Sequence, residues 1–111
     1  MVYEVTLYQT TKGDIPVRKW LSKLNVTTRD RVYSRLMRIE QGNFGDHKQI
    51  ETELYELRFF FDGGLRVYYT VQDERVVVLF CGGNKKSQKR DISKAIALLY
   101  EYKKELNDAS T

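Results

Sequence analysis

Apolar residues along this chain recur with two periods, and each period predicts one kind of element. Residues 2–8 are rich in Val, Leu and Tyr, which predicts a strand. The next apolar residues recur at helical spacing and predict a helix with one apolar face: Val17, Trp20, Leu21 and Leu24. We expect Asp14 to cap this helix and Pro16 to lie in its first turn.

A second helical pattern carries an apolar face and a basic stripe. We expect this helix to begin at Thr27 or Thr28 and to end at Gly42-Asn43, before a loop over 42–52. The two faces consist of Val32, Leu36 and Ile39, and of Arg31, Arg35 and Arg38. The basic stripe is most simply a solvated face, and the alternative is a surface for nucleic acid or a protein partner.

The second half of the chain predicts three strands and a helix. The strands lie at about 54–61, 65–71 and 76–81, and the turn sequences 62–64 and 72–74 separate them. The third strand is apolar throughout, which favours a central position with both faces covered. The helix is predicted over about 87–106, with a buried stripe of Ile92, Ala95, Ile96, Leu99, Tyr102 and Leu106.

The order of these elements, β-α-α-β-β-β-α, predicts an α+β fold. We expect an antiparallel sheet of about four strands, packed against two N-terminal helices and one C-terminal helix. A length of 111 residues favours a single domain over 1–111.

The net charge indicates the class of binding partner, and the cysteine content and N-terminus indicate the cellular compartment. The net charge of +4 favours an anionic partner such as nucleic acid or an acidic protein. Cys81 is the single cysteine, which excludes an internal disulfide, and its apolar surroundings predict a buried structural thiol. The N-terminus has no signal-peptide layout and no apolar run reaches the length of a membrane span, so we expect a cytoplasmic protein without membrane contact.

The sequence predicts no metal site and no cofactor. The single histidine, His47, and Cys81 are not spaced as metal ligands, and the glycine pairs match no phosphate-loop fingerprint. We expect His47 to be an ordinary surface residue of the 42–52 loop. One histidine also excludes a ribonuclease mechanism that needs two.

Four cations crowd the start of the last helix: Lys85, Lys86, Lys89 and Arg90. A helix N-terminus carries partial positive charge and prefers Asp or Glu, so this density breaks a local rule and suggests a site. Backbone N–H groups together with Lys and Arg suit a phosphate group. The alternative is a solvated basic turn that keeps the protein soluble.

The pairing of the second and third strands decides which side chains join these cations. A loop over 62–64 places Arg58 opposite Tyr68 and Phe60 opposite Arg66. A two-residue loop at 63–64 instead places Arg58 opposite Tyr69 and separates the apolar sets, so we favour the first register.

In the favoured register, Arg58, Arg66 and Tyr68 share an open sheet face, and the third strand delivers Lys85 and Lys86 beside it. The cations suit phosphates, and Phe60, Tyr68 or Tyr69 could stack on splayed bases. The alternative is that these aromatic residues are simply good strand formers.

RNA cleavage needs neither histidine nor metal. The ribose 2′-OH can attack the adjacent phosphate in line, provided that the protein aligns the attack and neutralises the charge that develops. One of the crowded lysines could serve as general base.

Three segments together resemble the RelE/ParE toxin superfamily: Tyr55-Glu56-Leu57-Arg58, Leu65-Arg66-Val67-Tyr68-Tyr69 and the run 83–92, Gly-Asn-Lys-Lys-Ser-Gln-Lys-Arg-Asp-Ile. The similarity is strongest to the phage-derived, HigB-like addiction-module killer proteins, and residues 42–48 also resemble that branch. It covers nearly the whole chain, from residue 3 to about 99.

The resemblance implies a RelE-like fold and the toxin of a type II toxin–antitoxin module. Its partners would be an antitoxin, often a helix-turn-helix protein encoded adjacently, and mRNA on the ribosome, which many members cut without a metal. The implied catalytic residues are Arg58, Arg66, Lys85, Lys86 and Lys89. The resemblance also implies substrate contacts for Lys48 and Gln88. Together with Phe60 and Tyr68 from the strand pattern and Arg90 from the cation cluster, they are the predicted substrate-binding residues.

This chain also departs from the superfamily pattern near the end of the site. Asp91-Ile92 stand where RelE-like members place a tyrosine, and the C-terminal histidine of some relatives is absent. The general acid and base therefore stay open. Two alternatives to the endoribonuclease are a ParE-like, non-enzymatic inhibitor of DNA gyrase and an inactive relative that binds nucleic acid.

Overall fold

A computed structural model describes residues 2–109 of the chain. It is an α+β fold, as predicted, with three helices and a five-stranded sheet. The elements in chain order are β1 (Glu4–Leu7), α1 (Pro16–Ser22), α2 (Val26–Glu40), β2 (His47–Glu51), β3 (Leu54–Arg58), β4 (Arg66–Gln72), β5 (Val76–Gly83) and α3 (Gln88–Ala109).

The sheet corrects the predicted four antiparallel strands in two respects. The strand order is β1-β5-β4-β3-β2, and β1 runs parallel to β5 while the other pairs are antiparallel. The additional strand, β2, lies within the predicted 42–52 loop. Four of its five residues are exposed, because β2 is an edge strand held by main-chain bonds to β3, so its sequence carries no apolar alternation.

Both predicted helix starts were wrong. Ile15, not Asp14, precedes α1, and it supplies no side-chain cap. Helix α2 begins at Val26, ahead of both threonines, because the Asn25 side chain accepts a hydrogen bond from the Thr28 N–H at 2.9 Å. Pro16 does occupy the first turn of α1, where its missing N–H costs nothing.

The sheet separates two apolar clusters. Helices α1 and α2 cover one face, and α3 covers the other. Alternate residues of β5 enter the two clusters, with Val77 and Leu79 on one side and Val78 and Phe80 on the other. The expectation that this strand is covered on both faces is confirmed.

The buried stripe of α3 differs from the predicted one. Ala95 and Leu99 are buried as expected, but Ile96 and Leu106 are exposed and Leu98 is buried in their place. The stripe is rotated because α3 packs against β5, β4 and β3 together rather than along a single line of contact.

The β3–β4 connection is longer than predicted. Strand β3 ends at Arg58, and Phe59 N–H donates to Leu65 C=O at 2.9 Å across the mouth of the loop. Asp62, Gly63 and Gly64 all have positive φ, which two glycines accommodate without strain. Both predicted registers were therefore wrong: Arg58 pairs with Arg66, and Tyr68 pairs with Glu56.

Candidate functional site

Two arginines lie directly opposite each other on neighbouring strands. Arg58 of β3 pairs with Arg66 of β4, and Arg66 pairs with Gly83 of β5 on its other side. Like charges in this position normally destabilise a sheet. Each guanidinium, however, has its own carboxylate. Arg58 Nη2 lies 2.9 Å from Asp46 Oδ1, and Arg66 Nε lies 3.5 Å from Glu56 Oε2. We call Arg58 and Arg66 the arginine pair.

Asp46 fixes the first member of the pair. It lies just before β2, and its C=O accepts a hydrogen bond from the Arg58 N–H at 3.0 Å. The hydrogen bond from the Arg58 side chain to Asp46 raises the pKa of the guanidinium above its ordinary value. The Arg58 side chain is still about one-third exposed, so a ligand can reach it.

Glu56 fixes the second member, and the sequence interpretation did not include it among the candidate site residues. Its side chain is 1% exposed, and its Oε2 accepts hydrogen bonds from Tyr68 Oη at 2.9 Å and Gln88 Nε2 at 2.8 Å. With the Arg66 guanidinium in ion-pair contact at 3.5 Å, three side chains from β4 and α3 converge on one oxygen. A carboxylate inside a buried strand needs such partners, and that requirement was the available signal.

Three buried polar atoms at this place make no hydrogen bond with residues 2–109: Arg58 Nε, Arg66 Nε and Asp46 Oδ2. Arg66 is meanwhile held from the other side, because its Nη1 donates to Gly64 C=O at 2.7 Å. Each guanidinium therefore has a buried Nε–H without a hydrogen bond, although Arg66 Nε keeps its 3.5 Å ion-pair contact with Glu56. The planar guanidinium groups themselves suit an anion with several oxygens.

The turn before α3 approaches the arginine pair through its backbone. Lys85 N–H reaches Gly63 C=O at 3.4 Å, and a Cβ placed on Gly64 would lie 3.1 Å from Arg66 Nη1 and 3.8 Å from Lys85 Cβ. Lys85, Lys86, Lys89 and Arg90 are exposed, and their side chains form no hydrogen bond or ion pair with residues 2–109. The structure brings Lys85 beside the pair, and the other three are exposed in the residues that follow, 86–90.

The residues at the start of α3 form hydrogen bonds that the sequence did not predict. Ser87 N–H donates to Asn84 Oδ1 at 3.1 Å, and Asn84 N–H donates to Ser87 Oγ at 3.2 Å. Asp91 lies buried in the first helical turn, 2.5 Å from Ser87 Oγ. The helix therefore has the acidic residue that its N-terminus favours, beneath the cationic surface.

Four of the five predicted substrate-binding residues divide into three groups, and the fifth, Arg90, is one of the exposed cations described above. Lys48 is exposed on β2 opposite Glu56, and Gln88 reaches the pair through Glu56. Tyr68 is 0% exposed, so the expected open face is closed there and its ring cannot stack on a base. Burial, followed by the hydrogen bond to Glu56, raises the pKa of its hydroxyl.

Phe60 belongs to the third group. It is 87% exposed, but it lies beyond the end of β3, so strand alternation no longer places it with Arg58. It lines cavities with residues of α2 instead. Tyr69, the other aromatic considered for stacking, is buried.

One residue of the basic stripe is not solvated. Arg35 donates to three main-chain oxygens, those of Phe44, Asp46 and Arg58, at 3.0, 2.7 and 2.8 Å. Burial lowers the pKa of its guanidinium. Arg35 therefore ties α2 to the strands that carry the arginine pair.

Other expectations concern single residues. Cys81 is a buried free thiol, as predicted, and burial raises its pKa to about 12. His47 is exposed as expected, although it lies in β2 rather than in a loop. Across residues 2–109 no cluster of three or more His, Cys, Asp or Glu side chains could hold a metal ion. Within the same range, no helix is both long and apolar enough to cross a membrane.

Comparison with known proteins identifies the family. An uncharacterized protein of Haemophilus influenzae (strain ATCC 51907 / DSM 11121 / KW20 / Rd) is 41% identical over 91 residues, which cover 81% of this chain and 92% of the relative. Residues 19–101 match the family described as Phage derived protein Gp49-like (DUF891), and this span contains the arginine pair, Glu56 and the 84–87 turn. The chain therefore belongs to the Gp49-like family of phage-derived proteins, a family of RelE-like, toxin-like addiction-module proteins.

Proposed function

We propose that this protein is the toxin of a type II toxin–antitoxin module and that it inhibits translation as a HigB-like, metal-independent endoribonuclease acting on mRNA at the ribosome. The observation that carries the proposal is the arginine pair, in which two opposed guanidinium groups are each held by a carboxylate and stay partly exposed. Family membership supports the toxin class and an antitoxin partner.

The proposed reaction needs no group beyond the chain and the RNA. The ribose 2′-oxygen forms a bond to the adjacent phosphorus and loses its proton, while the bond to the departing 5′-oxygen breaks and that oxygen gains a proton. The products are a 2′,3′-cyclic phosphate and a 5′-hydroxyl. The enzyme has to align the attack and stabilise the charge that develops on the phosphate oxygens.

The arginine pair would provide that stabilisation. A phosphate at the exposed side of Arg58 and Arg66, whose side chains are 35% and 14% exposed, would accept from the accessible part of the two guanidinium groups, and Lys85 would add positive charge from the neighbouring turn. Lys86 and Lys89 would hold the flanking RNA, because their side chains are exposed one and four residues after Lys85.

Glu56 and Asp46 would act as positioning residues. Glu56 holds Arg66 and Gln88, and Asp46 holds Arg58, so the guanidinium groups are oriented before the substrate arrives. Preorganised donors of this kind stabilise a transition state without reorganising during the reaction.

A second candidate function rests on a different observation. Both arginines already have carboxylate partners, so the pair could be structural, and the exposed cations would then serve a protein target, as in a ParE-like gyrase inhibitor. An inactive relative that only binds nucleic acid would also have carboxylate-paired arginines and exposed cations.

Induction of the protein in cells, followed by primer extension on abundant mRNAs, distinguishes these functions. The proposed endoribonuclease produces new 5′ ends within translated regions, in register with the reading frame. Intact mRNA together with a DNA-damage response would instead establish gyrase inhibition, and growth without either would identify an inactive relative.

A further inference from the structure

We propose that the groove between α2 and the β3–β4 loop is a second contact site for single-stranded RNA, in which a base stacks on Phe60 and a backbone phosphate lies against Arg38. The groove consists of two adjoining cavities, of about 310 and 200 Å3, which share Arg35, Arg38 and Phe60. The inference rests on the proposed function, because it extends the path of the same RNA strand beyond the arginine pair.

Three consecutive phenylalanines meet α2 in different ways. Phe59 is buried, with the Arg35 guanidinium 4.8 Å from its ring centroid. The Arg31 guanidinium lies 3.7 Å from the ring centroid of Phe61. Phe60, between them, is 87% exposed, and no guanidinium of residues 2–109 covers its ring. An open aromatic face beside cations is what a nucleic-acid base requires for stacking.

The groove has one arginine that the fold does not use. Arg35 is bonded to main-chain oxygens, and Arg31 covers Phe61. Arg38 is exposed, and its side chain makes no hydrogen bond or ion pair with residues 2–109. Among the residues that line the two cavities, the single carboxylate is Asp46, which is already paired with Arg58. The groove therefore presents unneutralised positive charge, which favours a phosphate.

The groove is continuous with the arginine pair. Asp46 lines the smaller cavity and lies 2.9 Å from Arg58, while Arg35 bonds the main-chain oxygens of both residues. RNA held at Arg58 can thus continue across Asp46 into the groove. In single-stranded RNA, bases and phosphates alternate along the chain, so one base can stack on Phe60 while a neighbouring phosphate contacts Arg38. An acidic peptide would use the positive charge but has no group that must stack on the open ring.

Direct binding tests the site independently of cleavage. The probe is a labelled single-stranded RNA of about eight nucleotides, within the usual range for such sites, with 2′-O-methyl groups so that it cannot be cut. Fluorescence anisotropy is measured for the full chain, Phe60→Ala, Phe60→Tyr and Arg38→Ala. Matched controls are Tyr100→Ala, an aromatic that is 75% exposed on α3, and Arg75→Ala, an exposed arginine of the β4–β5 turn.

We expect Phe60→Ala to weaken binding about tenfold and Phe60→Tyr to restore it, because a tyrosine ring also stacks. Arg38→Ala should lower the magnitude of the salt dependence, d log K/d log[salt], by about 0.7, as expected when one phosphate contact with a single strand is lost. The two controls should bind like the parent. Thermal unfolding midpoints should not change, since Phe60 and Arg38 are exposed.

Unchanged binding of Phe60→Ala and Arg38→Ala would overturn the site, even if the parent cleaves mRNA. If Phe60→Ala and Arg38→Ala bind RNA like the parent but no longer bind the antitoxin, the site is also overturned, and the groove is assigned to a protein partner. If the parent binds the probe through Phe60 but never cuts mRNA, the groove stands and the endoribonuclease proposal fails.

Discussion

Arg58 and Arg66 are direct cross-strand partners, so two cations occupy a position where like charges normally repel. The sheet tolerates this pairing because Asp46 and Glu56 neutralise one arginine each. The arrangement holds both guanidinium groups in place and leaves their side chains 35% and 14% exposed to a ligand. The following predictions test what each part of it contributes.

Glu56→Ala should lower the free energy of unfolding by about 3 kcal/mol or more, because breaking a buried ion pair leaves its partners uncompensated. The change removes the acceptor of both Tyr68 and Gln88 as well as the partner of Arg66. Urea denaturation measures the loss. The control is Glu53→Ala, whose exposed pair with Lys103 should contribute less than about 1 kcal/mol. Equal effects of the two substitutions would contradict a central role for Glu56.

Gly83→Ala should destabilise the fold and disturb the start of α3. A Cβ at this position would lie 1.8 Å from Asp91 Oδ2 and 2.7 Å from Ser87 Oγ, so these two side chains, or the helix start that carries them, have to shift. Gly63→Asn is the control, since that position is open and Asn tolerates its positive φ. Amide hydrogen exchange should show faster exchange over the first turns of α3 in Gly83→Ala alone. Parental exchange in that variant would mean that the contact with Asp91 is not maintained in solution.

The protein should lose stability as the pH rises above about 9, because buried acidic groups ionise more readily in the unfolded chain. Burial raises the pKa of Cys81 from 9.0 to about 12 and raises those of Tyr8, Tyr68 and Tyr69 above 10.0. Between the unfolded and folded values the unfolded state binds fewer protons, so the free energy of unfolding falls with pH. Urea midpoints recorded from pH 7 to about 11 check the direction. A midpoint that rises over this interval would show that these groups are not buried.

The exposed cations should steer an acidic partner. With a net charge of +4 and Lys85, Lys86, Lys89 and Arg90 on one surface, association with the antitoxin should be fast at low salt and slow as salt rises. Stopped-flow association rates with the adjacently encoded protein, measured from low to high ionic strength, provide the test. No association even at low salt would contradict the pairing.

The sequence predicted correctly which side chains of β3 and β4 share a sheet face, although it predicted the wrong strand partners. The favoured register placed Arg58 opposite Tyr68, whereas the structure places it opposite Arg66, a shift of two residues. Side chains alternate with a period of two, so this error leaves the residues within β3 and β4 on their predicted faces. The rejected register, shifted by an odd number, would have reversed the faces. Alternation is therefore a sounder guide to shared faces than turn length is to pairing.

What the sequence could not supply were the partners that neutralise the cations. Asp46 meets Arg58 only because β2 forms as an exposed edge strand, and β2 has no apolar pattern. Gln88 meets Glu56 across 32 positions of chain, a contact that depends on how α3 lies over the sheet. Phe60 was grouped with Arg58 by alternation, which ends with β3. Local periodicity cannot predict contacts that arise from the packing of separate elements.

Cleavage by Arg66→Ala in a purified translation system tests the central claim most directly. The parent protein should cut mRNA on ribosomes and leave a 2′,3′-cyclic phosphate, and Arg66→Ala should cut about 10²–10³ times more slowly because one preorganised charge-stabilising donor is lost. Arg66→Lys should recover only part of the rate, since a point charge replaces a planar fork. Arg75→Ala, which removes an exposed cation from the β4–β5 turn, should cut like the parent. Parental cleavage by folded Arg66→Ala would contradict a catalytic role for the arginine pair.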